Sequence, residues 1–313
     1  MRGTLLYIGQ RLILIAITTV LVSSVVFLLL HQIPGNAFLN ETRVTPEALA
    51  ADLHHYGLDL PLQQQYLNWV NGVIRGNLGE SLVNRGIQVT PLLVRETTVS
   101  ATVGFFALLV TVGLGMILGV IAALRQNTWV DYLASSASVI GYSIPSFVIA
   151  IFGLLLFGHY LYIWTQGTVF YSPGWGKPEQ IPVPALALGL PYASYVARLT
   201  RASMLETIRT DYVRTAWAKG LKARIVVFRH ALRNALIPVV TILGPLVTGI
   251  ITGSVVIENI FGIPGLGKEF VTSILARDYN IVIGVFTFYA ALVGLANLTV
   301  DVIYPVLDPR IRY

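Results

Sequence analysis

The chain has 313 residues, 55% of them hydrophobic and only 12% charged, with a mean hydropathy of +0.72. Soluble domains carry about 25% charged residues, so this composition excludes an ordinary soluble enzyme, a disordered tail and a fibrous repeat, and the absence of cysteine excludes a disulfide framework, a thiolate nucleophile and a Cys-ligated zinc site. The net charge of +6 is concentrated: from residue 198 to 233, nine basic residues stand against two acids, the signature of a cytoplasmic loop in a membrane protein.

A membrane helix needs about 20 mostly apolar residues, because the hydrocarbon core is about 30 Å thick and the rise is about 1.5 Å per residue. The first such run is residues 12–30. It exceeds the roughly 7–15 residues of a signal-peptide core, so it is expected to stay as an uncleaved anchor, although residues 35–37 imitate a cleavage site. Residues 31–98 are polar but patterned. Thr45-Pro46-Glu47 is a helix start, with a hydroxyl cap, a proline in the first turn and an acid favoured by the helix dipole. After Pro61, Leu62, Tyr66, Trp69, Val70 and Val73 share one helical face. A small extracytoplasmic helical cap is predicted, which either only covers the bundle or also docks an external partner. His54 and His55 diverge by about 100° on a helix, so no metal site is expected there.

Further spans follow at 99–124, 133–157, 181–196, 235–257 and 281–307. The fourth is interrupted by prolines, of which Pro191 should kink it. Gly115 and Gly119, like Gly249 and Gly253, have the spacing that lets helix backbones approach, with packing inside the chain favoured over a subunit contact. In the third span, Tyr142, Ser143 and Ser146 surround Pro145; they either line a polar translocation pathway or bond back to their own helix. Six spans put both termini on one side. With that side inside, fourteen basic residues are cytoplasmic and seven external, so both termini are predicted in the cytoplasm. The fold class is therefore all-α: a polytopic membrane protein of six transmembrane helices, with one domain over 1–313 comprising an anchor (1–30), a cap (31–98) and a core (99–313).

Near the fifth span, Gly262-Ile-Pro-Gly-Leu-Gly267-Lys268-Glu269 has the Gly-x4-Gly-Lys spacing of a phosphate-binding loop. Glu269 replaces the hydroxyl residue that would hold Mg²⁺, so a tight turn before a short interfacial helix is expected instead. The loop 198–234 carries the most information. Leu205, Ile208, Tyr212, Thr215 and Lys219 recur at helical spacing; Asp211 opens a short helix, Lys219 closes it and Gly220 stops it. Ile225, Phe228, Leu232 and Leu236 form a second amphipathic stretch. Tyr212, Trp217 and Phe228 among basic residues would also suit RNA, but a patterned helix–glycine–helix is better explained as a docking element for a cytoplasmic partner, and no nucleic acid is expected.

Asp211-Tyr-Val-Arg-Thr-Ala-Trp-Ala-Lys-Gly220-Leu, followed by Arg229-His-Ala-Leu-Arg-Asn-Ala-Leu-Ile-Pro238, resembles the loop of inner-membrane permeases of binding-protein-dependent ABC importers, in the dipeptide/oligopeptide/nickel branch. Gly57-Leu-Asp-Leu-Pro61 with Tyr66, Val256-Ile-Glu-Asn-Ile-Phe-Gly-Ile-Pro-Gly265 and Leu307-Asp-Pro-Arg-Ile-Arg-Tyr313 agree, so the likeness spans nearly the whole chain. Of the general permease loop pattern, Ala216, Gly220 and Leu232 fit, while Arg214, Thr215, His230 and Arg233 depart as the peptide branch does. Trp217 stands where that branch often has arginine.

The resemblance implies a non-catalytic permease in a bacterial or archaeal cytoplasmic membrane, paired with a second permease chain, two cytoplasmic ATPases and an extracytoplasmic solute-binding protein. ATP and Mg²⁺ would belong to the ATPases, and this chain would bind no cofactor or metal. Asp211, Tyr212, Thr215, Ala216, Ala218, Lys219, Gly220 and Leu221 would form the ATPase-docking coupling helix. Peptide is the expected solute, with nickel chelates, glutathione or oligosaccharides as branch alternatives. An ATP-independent secondary transporter is disfavoured, because such carriers place ionisable residues deep in the membrane, whereas Glu258 and Asp301 fall near span ends.

Overall fold

A computed structural model describes residues 2–33, 46–168 and 171–307. The Thr45 cap, residues 35–37 and the terminal motif beyond Leu307 lie outside the described residues. Regular structure among the described residues is helical, and the sole strand-like pairing there is an isolated antiparallel bridge between Glu80 and Gln88. In order, α1 (Arg2–Gln32) leads to the cap helices α2 (Pro46–His55) and α3 (Leu62–Ile74), then α4 (Val89–Leu124). Next come α5 (Trp129–Ser143), α6 (Ser146–Gly153) and α7 (Leu161–Trp164), the last two joined by a π-helical stretch, Leu154–Tyr160. α8 (Pro182–Ile208) precedes α9 (Asp211–Ala218) and α10 (Ala223–Ile225). A second π-helical stretch, Val226–Ala231, links α10 to α11 (Leu232–Ala235) and α12 (Ile237–Thr241). The chain finishes with α13 (Leu243–Phe261), α14 (Leu266–Ala276) and α15 (Tyr279–Leu307).

Five segments among the described residues are long and apolar enough to cross a bilayer: Leu6–Gln32, Val89–Leu124, Ser146–Trp164, Leu243–Phe261 and Tyr279–Val302. Their outward side chains are apolar, as at Ile13, Ile17, Phe105, Ile117 and Phe152, a surface suited to lipid rather than water. The expected 133–157 span is broken. Pro145 has no N–H and holds the preceding residue extended, so α5 stops at Ser143 and the continuous apolar run shifts to Ser146–Trp164. The fourth segment runs longer than 181–196: α8 passes through Pro191 and carries Arg198 and Arg201 inside the helix rather than in a loop. α4 likewise starts ten residues before the expected 99, which brings the buried Glu96 into the helix.

Close backbone approach organises the centre. An added Cβ at Gly115 would lie 2.8 Å from the Ala193 carbonyl oxygen, and one at Gly119 would lie 2.6 Å from that of Ala197, so this glycine pair seats α4 against α8 within the chain. Gly189 approaches Ala107 from the other side, where the Thr111 hydroxyl donates to the Gly189 carbonyl at 3.1 Å. Gly249 and Gly253 pack on Tyr192 and Leu188 of α8. α1 lies along α15, with Ser23 and Thr287 hydroxyls 2.9 Å apart. In the cap, Tyr66 and Trp69 of α3 pack on Phe27 of α1, and Val73 joins the buried cluster around Leu78 and Leu93. Leu62, expected on the same face, is exposed.

Candidate functional site

The patterned loop folds as a short rigid arm at one end of the bundle. α8 closes at Ile208, where the Thr210 hydroxyl donates to the Thr207 carbonyl at 2.6 Å, and α9 starts afresh at Asp211. The predicted continuous face from Leu205 to Lys219 is therefore divided. Leu205 and Ile208 pack into a cluster with Ala123, Met204, Val227, Ala231 and Ala235, while Tyr212, Thr215 and Lys219 point outward. The residues that seat α9 are Val213 and Ala216, both buried against Val226 with Leu221 alongside. The second amphipathic face also shifts. A π-helical stretch changes the angular step per residue, so Ile225 and Phe228 are exposed and Val226, Val227, Ala231 and Ala235 are buried instead.

Of the predicted docking residues, Asp211, Tyr212, Thr215, Ala218, Lys219 and Gly220 are exposed, Leu221 is half-buried and Ala216 faces inward. Gly220 has φ +72° and nothing within 4 Å of an added Cβ, so glycine is needed for the left-handed turn and not for space. The turn is closed by Gly220 N–H to Trp217 O at 2.9 Å. The Tyr212 hydroxyl accepts from Asn234 Nδ2 at 2.7 Å, tying α9 to α11, a link carrying no sequence signal beyond a polar residue in a hydrophobic stretch. The exposed Trp217 borders a cavity of about 270 Å³ with Arg209, Val213, Val226 and Leu124.

Sequence reasoning also missed the clamp beside this arm. Asp131, in the first turn of α5 and ahead of the apolar span, is 3% exposed and receives Arg201 of α8 through two bonds, Nε at 2.6 Å and Nη2 at 2.7 Å. The Asn127 N–H at 2.9 Å adds a third donor. Arg201 above all, with that N–H, holds the Asp131 carboxyl down at about 2, against an ordinary carboxylate near 4. A lone acid opening an apolar run, opposite a basic cluster, was the available signal.

One turn earlier on α8, Arg198 is exposed and its guanidinium lies 4.7 Å from the Tyr142 ring centre, which is 6.0 Å from that of Tyr195. Ser143 is exposed and back-bonds to the Val139 carbonyl at 2.8 Å, while Ser146 opens α6 and is half-buried.

At the opposite, cap end, the glycine-rich near-match does hold an acidic group, but it is the chain's own. Glu258 of α13 accepts from the Gly267 and Lys268 N–H groups at 2.7 and 3.2 Å, capping α14 where the helix dipole favours negative charge. An added Cβ at Gly265 would lie 2.6 Å from Glu258 Oε2, and one at Gly267 would lie 2.4 Å from Val255 Cα. Those glycines make room for the carboxylate. Among the described residues no group of His, Cys, Asp and Glu is arranged to hold a metal, and His54 instead contacts Asp59 at 2.8 Å.

A helical bundle with several lipid-suited spans and a braced, outward-facing arm at one end defines a polytopic membrane protein. Residues 115–313 match the family described as "Binding-protein-dependent transport system inner membrane component", and residues 4–93 match its N-terminal companion, "Binding-prot-dependent transport system membrane comp, N-term". The chain belongs to this family of inner-membrane transport components. It is 41% identical over 307 residues to the dipeptide transport system permease protein DppB of Bacillus subtilis, covering 98% of this chain and 97% of that one. With the oligopeptide transport system permease protein OppB of Salmonella typhimurium it shares 39% identity over 298 residues, 95% of each. Its fold is similar to a chain of the inward-facing MetNI methionine ABC transporter, with TM-score 0.58 and 18% identity over 70% of this chain and 98% of that one.

Proposed function

We propose that this chain is the membrane-spanning subunit of an ATP-driven importer that moves di- or oligopeptides across the cytoplasmic membrane by alternating access. The observation that carries the reading is α9: a short helix braced on its inner side by Val213, Ala216 and Tyr212–Asn234, with its outer side exposed among the described residues. In this reading α8 completes six spans, both termini are cytoplasmic, and α9 with Gly220 and Leu221 sits in a groove of a separate ATPase. That ATPase binds ATP and Mg²⁺, while this subunit performs no hydrolysis. A second, similar permease chain completes the pathway, for which Tyr142, Ser143 and Ser146 are lining candidates. An extracytoplasmic solute-binding protein delivers peptide to the cap, residues 31–98. The arm acts as a two-state transmitter: ATP favours the closed ATPase pair, and a stiff α9 seated on the Val226–Ala231 stretch passes that preference to the bundle. The names of the relatives support peptide as the cargo.

The test is purification of the tagged chain from its native membrane in mild detergent, followed by reconstitution. Recovery of a second permease, ATP-binding subunits and a binding protein, with ATP-dependent peptide uptake, is expected. Gly220→Trp is expected to leave ATP hydrolysis running while uptake falls. Uptake driven by an ion gradient from the chain alone would sink the reading.

A further inference from the structure

α8 carries two arginines a single turn apart, and the bundle treats them in opposite ways. Arg201 is consumed by Asp131 at the start of α5. Tyr142 lies about 16 Å farther along α5, at roughly 1.5 Å per residue, and Arg198 stacks on that ring. Among the described residues no carboxylate is within ion-pair distance of Arg198. The level is confirmed by neighbours: an added Cβ on Gly141 would touch the Ser194 hydroxyl, and Tyr142 faces Tyr195.

A charged side chain on the exposed flank of a spanning helix is not left against hydrocarbon; it faces a partner charge or a water-filled space. Stacking on the Tyr142 face orients the guanidinium while leaving its edge N–H groups available, and that planar fork matches a carboxylate through two parallel bonds. Immediately beyond Tyr142 the helix breaks between Ser143 and Ser146. Interrupted spanning helices are tolerated where the backbone lines a cavity, and carriers use them at their binding sites.

We infer that Arg198, held on Tyr142 and flanked by Tyr195, is a subsite in the translocation pathway for the free carboxylate of the transported peptide. This rests on the peptide-import reading above. The subsite would favour substrates with a free C-terminal carboxylate, and the two tyrosines would present flat, amphipathic walls to whatever side chain accompanies it.

The chain has no native cysteine, which permits a direct test in the complete importer, with its partner subunits and binding protein, in proteoliposomes. Arg198→Cys should lower uptake of a free-carboxylate peptide at least tenfold. A cationic methanethiosulfonate reagent, which rebuilds a positive charge at that sulfur, should restore a third or more of the uptake, and a neutral reagent of similar size should not. Separately, Tyr195→Cys in a chain that keeps Arg198 should react with the water-soluble reagent, and the free-carboxylate peptide should slow that reaction several-fold. Ile13→Cys, on the exposed flank of α1, is the unreactive control. The inference is overturned if Arg198→Cys transports normally, if the neutral reagent rescues as well as the cationic one, or if Tyr195→Cys does not react or reacts equally fast with and without peptide. Should Arg198→Cys fail to assemble, the Tyr195→Cys measurement decides alone. A native importer that takes up no peptide at all would remove the import reading itself, a result distinct from any of these.

Discussion

The two ends of the bundle use the same device, a helix ended by a left-handed glycine and followed by a second helix, and finish it differently. At the cap end, Gly262 (φ +67°) stops α13 and the following α14 has its N-terminus filled by Glu258 from inside the fold. At the other end, Gly220 (φ +72°) stops α9, whose outer side carries Arg214, Trp217 and Lys219, exposed among the described residues. The cap-end turn is closed on itself and acts as structure. The arm is braced from behind and exposed in front, which fits the docking role proposed for it.

The largest expected effect falls on the ion pair that ties α5 to α8 at the arm's end of the bundle. Arg201→Ala leaves Asp131 buried without its cation, and breaking a buried pair costs about 3–5 kcal/mol; thermal unfolding in detergent should show the loss, with the lower end expected because Arg201 is 30% exposed. Because the folded carboxyl is held at about 2, below its unfolded value near 4, the clamp's contribution is complete above about pH 4 and fades as pH falls through 2. In Arg201→Ala the carboxyl loses the cation that held it low and burial raises it, so the deficit should be no smaller at pH 8 than at pH 5. A deficit that grows as pH falls from 8 to 5 would contradict the ion-pair assignment.

Next is the closed turn. Gly267→Ala drives a methyl into the Val255 backbone, and overpacking of this kind costs about 1–3 kcal/mol or more. Glu258→Leu leaves two helix N–H groups without an acceptor, again about 1–3 kcal/mol, and Glu258→Gln should recover much of it. Both are measured by unfolding of the purified subunit, and a neutral Gly267→Ala would show that the turn is looser than described. The open turn should be more forgiving. Gly220→Ala meets no neighbour and suffers only the left-handed backbone cost of about 1 kcal/mol, while Gly220→Asn should cost less still. The smallest effect on stability is expected for Trp217→Ala, which empties no core; its effect should appear as weaker copurification of ATPase subunits. Equal loss of stability in Gly220→Ala and Gly267→Ala would erase the distinction between the two ends.

Much of this was legible in the linear chain. Apolar runs, the basic cluster and the Gly220 stop follow from composition and spacing, because bilayer thickness and backbone chirality act locally. Boundaries were not so readable. Pro145 divided the third span, and α8 continued through Arg198 because packing on α4 outweighed the polarity of its later turns. The outward and inward faces of the arm were also misjudged, since the break before Asp211 and the π-helical stretch at Val226–Ala231 reset the helical phase.

The sequence by itself determined a membrane-embedded helical protein, the position of a short helix stopped at Gly220 and the family it resembles, all of which depend on residue type and short-range order. Only the tertiary structure decided which charges meet. Asp131 and Arg201, Arg198 and Tyr142, and Glu258 with the α14 N-terminus depend on how helices cross and in what rotation. Helix packing fixes that rotation through close contacts such as Gly115 and Gly119 on α8, and no periodicity within one helix contains it.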